Sequence, residues 1–275
     1  MAFVGSKEII LPIGAMIDGV LVREVSISRM SGVDEENMAE KGIRNNGAKA
    51  MTVLLRRAIQ KIGSLGKKGL NDLFNERLIN SLKVPDRDFL FLAIRSLDTD
   101  SAIKSILVCP HCGEKHDDET TLDELEVYDW PHEEEPHVVV ELKDGFLDEG
   151  KTYKEVTWYF LNGYQQEKLA RLKESKMVTT MLTMGIRSAK NEAGEELEGI
   201  NTELVKQLSH RDRALVIEEI RQNTPGVDLS KQTVCDKCDE EWEAEIDLMG
   251  FFSSESKPKR SSRSGTKRRK KRVRR

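Results

Sequence analysis

One segment plan occurs twice in this chain. Leu78, Leu82, Asp86, Arg87, Ile94, Arg95, Cys109 and Cys112 recur 126 residues later as Leu204, Leu208, Asp212, Arg213, Ile220, Arg221, Cys235 and Cys238, without a gap. Leu11, Gly14, Gly19, Glu24, Val25 and Gly32 recur at an offset of 131 as Leu142, Gly145, Gly150, Glu155, Val156 and Gly163. The offsets differ by five residues, so the second copy is shorter in its middle. Matches at this many ordered positions point to an internal duplication, and hence to one structural unit that forms twice.

Each copy opens with two short β segments. In the first they fall near residues 8–12 and 20–27, joined by a turn at Asp18-Gly19. In the second they fall near 138–142 and 153–158, with Gly145 and Gly150 between them. Helices follow. Met51, Leu54, Leu55, Ala58, Ile59 and Ile62 recur at helical spacing and predict one apolar face. Residues 72–82 and 86–97 predict two more helices, the last buried because 89–94 is apolar on every side. Pro85 just before Asp86 suits a helix start. The second copy predicts helices at 165–174, 178–187, 202–208 and 211–222, the last stopped by Thr224-Pro225-Gly226. The β-like residues 105–108 and 233–234 precede the cysteine pairs, and 242–246 alternates like a return strand. Residues 117–135 hold ten acids and no Lys or Arg, and read as strand near 125–130 and linker at 131–136.

The four cysteines form two Cys-x-x-Cys pairs, one per copy. Such a pair between two strands lets both thiolates face one ion, and zinc takes four ligands in a tetrahedron. Gly113 follows the first pair, where a turn needs positive φ; Asp239 follows the second and tolerates that conformation. The simplest closure places Cys109, Cys112, Cys235 and Cys238 around one structural Zn²⁺. The competing reading of Cys-Pro-His-Cys is a thiol oxidant, whose cysteines sit at a helix N-terminus. The residues after Cys112, Gly-Glu-Lys-His-Asp-Asp, start a helix poorly. With four sulfurs available, His111 and His116 are expected to face solvent. The repeated Asp86/Asp212 and Arg95/Arg221 read as structural, with the acid at a helix start and the base near its end, close to the cysteine ribbon.

Charge divides the chain. Lys and Arg number 44 against 48 Asp and Glu, but twelve of the bases lie in residues 257–275 with no acid among them. The remaining body carries about −16 and the tail about +12. The tail cannot bury a core and is expected to be disordered. Its block Lys267, Arg268, Arg269, Lys270, Lys271 and Arg272 suits phosphates or an acidic protein surface. It has no aromatic residue and so would not read bases.

Several classes are excluded or disfavoured. No run of 18 apolar residues is present, so no helix is expected to span a bilayer. Glu8 interrupts the short apolar run near the start and no basic segment precedes it, so no export signal is expected. A reducing compartment then favours metal over disulfides. No nucleophile–base grouping and no phosphate-binding Gly-rich loop stands out, which predicts a protein that is not an enzyme.

This combination resembles the T4-type baseplate hub and tail-assembly proteins of contractile-tailed bacteriophages. The residues that carry the resemblance are Leu11-Pro12-Ile13-Gly14, Asp86, Ile94-Arg95, Cys109-Pro110-His111-Cys112-Gly113, Asp212, Ile220-Arg221, Cys235 and Cys238, within about residues 8–252. Asp239 replaces the glycine usual after the second pair, and the basic tail is a further departure. The resemblance implies a non-enzymatic virion or assembly component with other baseplate and tail proteins as partners. It would be found in the host cytoplasm during assembly and then in the virion tail. The alternative is a nucleic-acid-binding zinc-ribbon protein that uses its tail, although a body of about −16 repels DNA. The expected fold is α+β: a hairpin, helices and zinc ribbon at 1–130, the same unit at 131–252, and a basic tail at 253–275.

Overall fold

The computed structural model describes residues 6–29, 46–66, 73–97 and 102–246 of the 275. The fold mixes helix and strand. Strands β1 (Lys7–Ile17) and β2 (Val20–Ile27) form an antiparallel hairpin closed by Asp18-Gly19. Both turn residues have positive φ (50° and 81°), the type I′ geometry that follows the right-handed strand twist. Helix α1 (Gly47–Ala58) is capped by the Asn46 side chain, which accepts from Lys49 N. It passes directly into β3 (Ile59–Ile62), which pairs with β2 and with β4 (Leu65–Gly66). Helices α2 (Leu73–Ser81) and α3 (Val84–Arg95) complete this half, with Pro85 in the first turn of α3.

A ribbon of β5 (Ile103–Val108) and β6 (Lys115–Thr120) follows. The acidic stretch at 117–135 therefore begins inside a strand, β6. The strand expected near 125–130 shrinks to β7 (Val127–Tyr128). The chain then forms a second hairpin, β8 (His137–Asp148) and β9 (Lys151–Tyr159), turned by Glu149-Gly150 with φ of 46° and 81°. Helices α4 (Gly163–Leu169) and α5 (Glu174–Gly185) lead into β10 (Ile186–Asn191) and β11 (Glu196–Glu198). Then come α6 (Thr202–Gln207), α7 (His210–Gln222), β12 (Gly226–Val227), and a ribbon of β13 (Ser230–Val234) and β14 (Glu241–Glu245). Strand β12 pairs with β7.

The two four-stranded sheets run β1-β2-β3-β4 and β8-β9-β10-β11. Their third and fourth strands were not expected, because periodicity assigned Ile59, Ile62 and Arg187 to helices. The reason is a bulge. Ile27 pairs with Ile59 but Ser26 pairs with Lys61, so Gln60 is an extra residue. It turns Ile59 and Ile62 to the same side, where both are buried, and a bulged strand thereby imitates helical i, i+3 spacing. The same shift recurs where Trp158 pairs with Ile186 and Thr157 with Ser188, and there Ile186 and Ala189 are buried.

Two apolar cores result. One gathers Leu11, Val25, Ile27, Met51, Leu54, Leu55, Leu90, Phe91 and Ile94, with Ile246 joining from the far end of β14. The other gathers Val140, Val156, Trp158, Leu182, Ile186, Val205 and Val216. Phe89, expected in the core, is half-buried at its edge. No helix among the described residues is long and apolar enough to cross a membrane.

Candidate metal centre

Each cysteine pair sits in the tight turn of a ribbon, and the two turns share one hydrogen-bond pattern. Cys109 N–H donates to Glu114 O (2.9 Å) and Gly113 N–H to Cys109 O (2.9 Å). Cys235 N–H donates to Glu240 O (3.0 Å) and Asp239 N–H to Cys235 O (2.9 Å). Gly113 and Asp239 both adopt positive φ, 73° and 56°, as the sequence predicts. Neither turn opens a helix, so the dipole that activates thiol oxidants is missing here.

The ribbons bring all four sulfurs within 4.8 Å of one another. Cys109 Sγ lies 3.8 Å from Cys238 Sγ, and Cys112 Sγ lies 3.5 Å from Cys235 Sγ. Each close pair takes one sulfur from each ribbon. These are not disulfides, whose sulfurs lie about 2.05 Å apart. Tetrahedral Zn–S bonds of about 2.3 Å place sulfurs about 3.8 Å apart, so the spacing fits such an ion. Cys109 and Cys235 are buried, Cys238 is half-buried and Cys112 is exposed.

The thiols do not titrate alike. Burial opposes ionisation of Cys235, but the Lys237 and Cys238 N–H groups, the His116 side chain and Cys112 outweigh it and lower its pKa to about 6. For Cys238 a backbone N–H from Glu240 favours the thiolate, yet burial and the neighbouring sulfurs push the pKa up to about 12. Without a cation, only part of the cluster can carry negative charge. A bound divalent ion displaces the remaining protons and compensates that charge.

Other contacts hold the ribbons together. Lys237 Nζ reaches Glu114 Oε2 (2.7 Å) and Lys231 Nζ reaches Asp118 Oδ1 (2.5 Å), each crossing from one ribbon to the other. His111 is exposed as expected. His116 is not: its ring is half-buried against Trp242, 5.5 Å between centroids, with Nδ1 3.7 Å from Asp236 Oδ2. The alternation of β6 turns it inward. Arg221, at the end of α7, pairs with Glu218 and with Glu243 on β14 (3.2 Å), close to the ribbon. Lys267, Arg268, Arg269, Lys270, Lys271 and Arg272 lie outside the described residues.

Asp86 and Asp212 do more than start helices. Asp86 accepts Ile13 N–H and Gly14 N–H, both at 2.9 Å. Asp212 accepts Lys143 N–H (2.7 Å), Asp144 N–H (3.1 Å) and Gly145 N–H (2.9 Å). In each half a fully buried carboxylate fastens the helix that precedes the cysteine ribbon, α3 or α7, to a bulge in the first strand. Gly14 and Gly145 supply positive φ there, 109° and 76°. Arg87 is also wholly buried. It donates to Ile79 O (3.1 Å), Ala48 O (3.2 Å), Thr52 Oγ1 (2.9 Å) and Gln166 Oε1 (2.9 Å). The sequence signal for these roles is the recurrence of Asp86-Arg87 as Asp212-Arg213 at one offset.

The family model for the T4 bacteriophage base plate protein matches residues 47–253. No curated protein and no solved structure matches the chain.

Proposed function

The chain belongs to the T4 bacteriophage base plate protein family, and we propose that it works there as a non-enzymatic, zinc-stabilised structural or assembly component of the hub or tail. The observation that carries the zinc reading is the meeting of four sulfurs from two distant ribbons within 4.8 Å of one another. The ion is one structural Zn²⁺ held by Cys109, Cys112, Cys235 and Cys238. A four-sulfur shell leaves no open position for substrate, so its role is to tie the ribbons together.

The reading takes the chain as one unit used twice, at 1–130 and 131–252, followed by a basic tail at 253–275. Supporting it are two sheets of like strand order, two I′ hairpins, two carboxylate-fastened bulges and two ribbon turns with matching bonds. Partners are other baseplate and tail proteins, met in the host cytoplasm during assembly and then in the virion. The tail, through Lys267–Arg272, offers its cationic block to nucleic acid or to an acidic protein surface. The experiment is the protein content of purified phage particles and of isolated baseplate intermediates. The chain is expected in at least one, and absence from both overturns the role. A nucleic-acid-binding zinc ribbon remains the second reading, supported only by the twelve bases of the tail.

A further inference from the structure

A cleft of about 530 Å³ opens beside the second hairpin. Its walls are the linker at residues 128–132, the start of β8 at 137–139, and the end of α7 with the turn that follows it, through Glu219 and residues 222–225. A volume of this size accommodates a side chain and the backbone that carries it.

One wall is an open sheet edge. Strand β8 is the last strand of its sheet. Phe160 N–H donates to Pro136 O (3.4 Å), and the register continues with His137 opposite Tyr159 and Val139 opposite Thr157. Antiparallel pairing alternates. Pro136, Val138 and Val140 therefore turn their backbone groups to β9, and His137 and Val139 turn theirs outward. Both outward residues line the cleft, and no strand among the described residues pairs with that edge.

A second wall is aromatic and already held in place. Trp130 N–H donates to Pro12 O (2.9 Å), its carbonyl accepts from Arg23 Nη2 (2.5 Å), and its indole N–H donates to Glu134 O (3.0 Å). The His132 ring packs edge-on against the indole, 5.0 Å between centroids. Tyr128 and Val139 leave apolar surface exposed in the same cleft. The charge of the lining has one sign. Asp129 and Glu219 line the cleft and no Lys or Arg does, while α7 ends there and adds the negative end of its dipole. Neither carboxylate forms an ion pair among the described residues.

We propose that this cleft receives an extended, arginine-bearing segment of a neighbouring baseplate or tail protein. The segment adds to the β8 edge and pairs its backbone with His137 and Val139. Its guanidinium lies against Trp130, with Asp129 and Glu219 as counter-charges. Apolar residues on either side of the arginine cover Val139 and Tyr128. The chain's own cationic block lacks that pattern: residues 267–272 are six successive cations with no apolar residue among them. The inference rests on the reading that the chain works by binding other tail proteins.

Two-dimensional amide NMR of the isotopically labelled full-length protein tests it, with the capped pentapeptide Thr-Val-Arg-Val-Thr as probe. The peptide should move the Trp130 indole signal and the His137 and Val139 amide signals, and the shifts should saturate. Thr-Val-Gln-Val-Thr should bind about tenfold or more weakly, as should the Arg peptide to Glu219→Gln. Val139→Pro should weaken binding by a similar factor. It removes an N–H that faces away from β9, which an edge strand tolerates, so the fold is kept. Removal of residues 257–275 should leave binding unchanged. No shift at Trp130, equal binding of the two peptides, or full binding to Val139→Pro overturns the proposal. So does binding that appears only after the tail is removed, which would make the tail the occupant. Each of these results leaves the metal centre and the baseplate role standing.

Discussion

Asp86→Asn isolates what a buried carboxylate costs this fold. Asp86 has no exposed surface, and that burial raises its pKa from the usual 3.8 to about 6, although the Ile13 and Gly14 N–H groups and Arg23 pull the other way. Between those two pH values the folded protein keeps a proton that the unfolded chain has released. The group's contribution is therefore fully present below pH 3.8 and is lost as pH rises through about 6. At about 1.36 kcal/mol per pH unit the loss is about 3 kcal/mol. Asparagine cannot ionise, and it keeps one oxygen for a backbone N–H. Urea unfolding of both proteins at several pH values reads the difference. Between about pH 4 and pH 7, Asp86→Asn should lose about 2–3 kcal/mol less stability than wild type. Asp88, which burial raises to about 7, titrates in both proteins, and metal release at low pH affects both alike, so each cancels. Parallel pH profiles would refute the assignment of an ionising carboxylate to the Gly14 bulge.

Gly145→Ala should destabilise by about 2–4 kcal/mol in thermal or urea melts, because φ is 76° and the new Cβ would lie 2.3 Å from Tyr153 O. Gly150→Ala, at φ 81° in open space, should cost only the backbone strain of about 1–2 kcal/mol; equal effects would remove the packing argument. Gly163→Ala should unseat α4 and expose the buried Arg87, raising amide exchange in α1 and α4 together while sparing β8 and β9. Unchanged exchange would contradict the close approach. Truncation after residue 256 should abolish any salt-dependent DNA binding at low salt, and retained binding would move that activity to the body.

The strongest sequence signal, the repeated cysteine pair, translated directly into geometry because thiol spacing and turn residues act locally. Gly113 and Asp239 already indicated the turn, and the sulfurs meet as their pairing implies. The hairpin turns were equally readable from Asp18-Gly19 and Gly150. Strand β3 was not, since a bulge at Gln60 reproduces the i, i+3 spacing of a helix face and only the partner strand distinguishes them. Asp86 was read as a helix-start acid because the dipole argument is local, whereas its N–H donors lie 72 and 73 residues away in β1. The spacing around His116 carries no sign that Trp242 packs on it, so sequence alone puts it in solvent. In each case the missing information was long-range pairing, which periodicity does not carry.

Metal analysis of the full-length protein beside Cys235→Ser asks whether one ion joins the two ribbons. One zinc per wild-type chain is expected, with none in Cys235→Ser and a fall in the stability of both halves together. Two zinc ions per chain, zinc retained by the variant, or an unchanged melting temperature would contradict it.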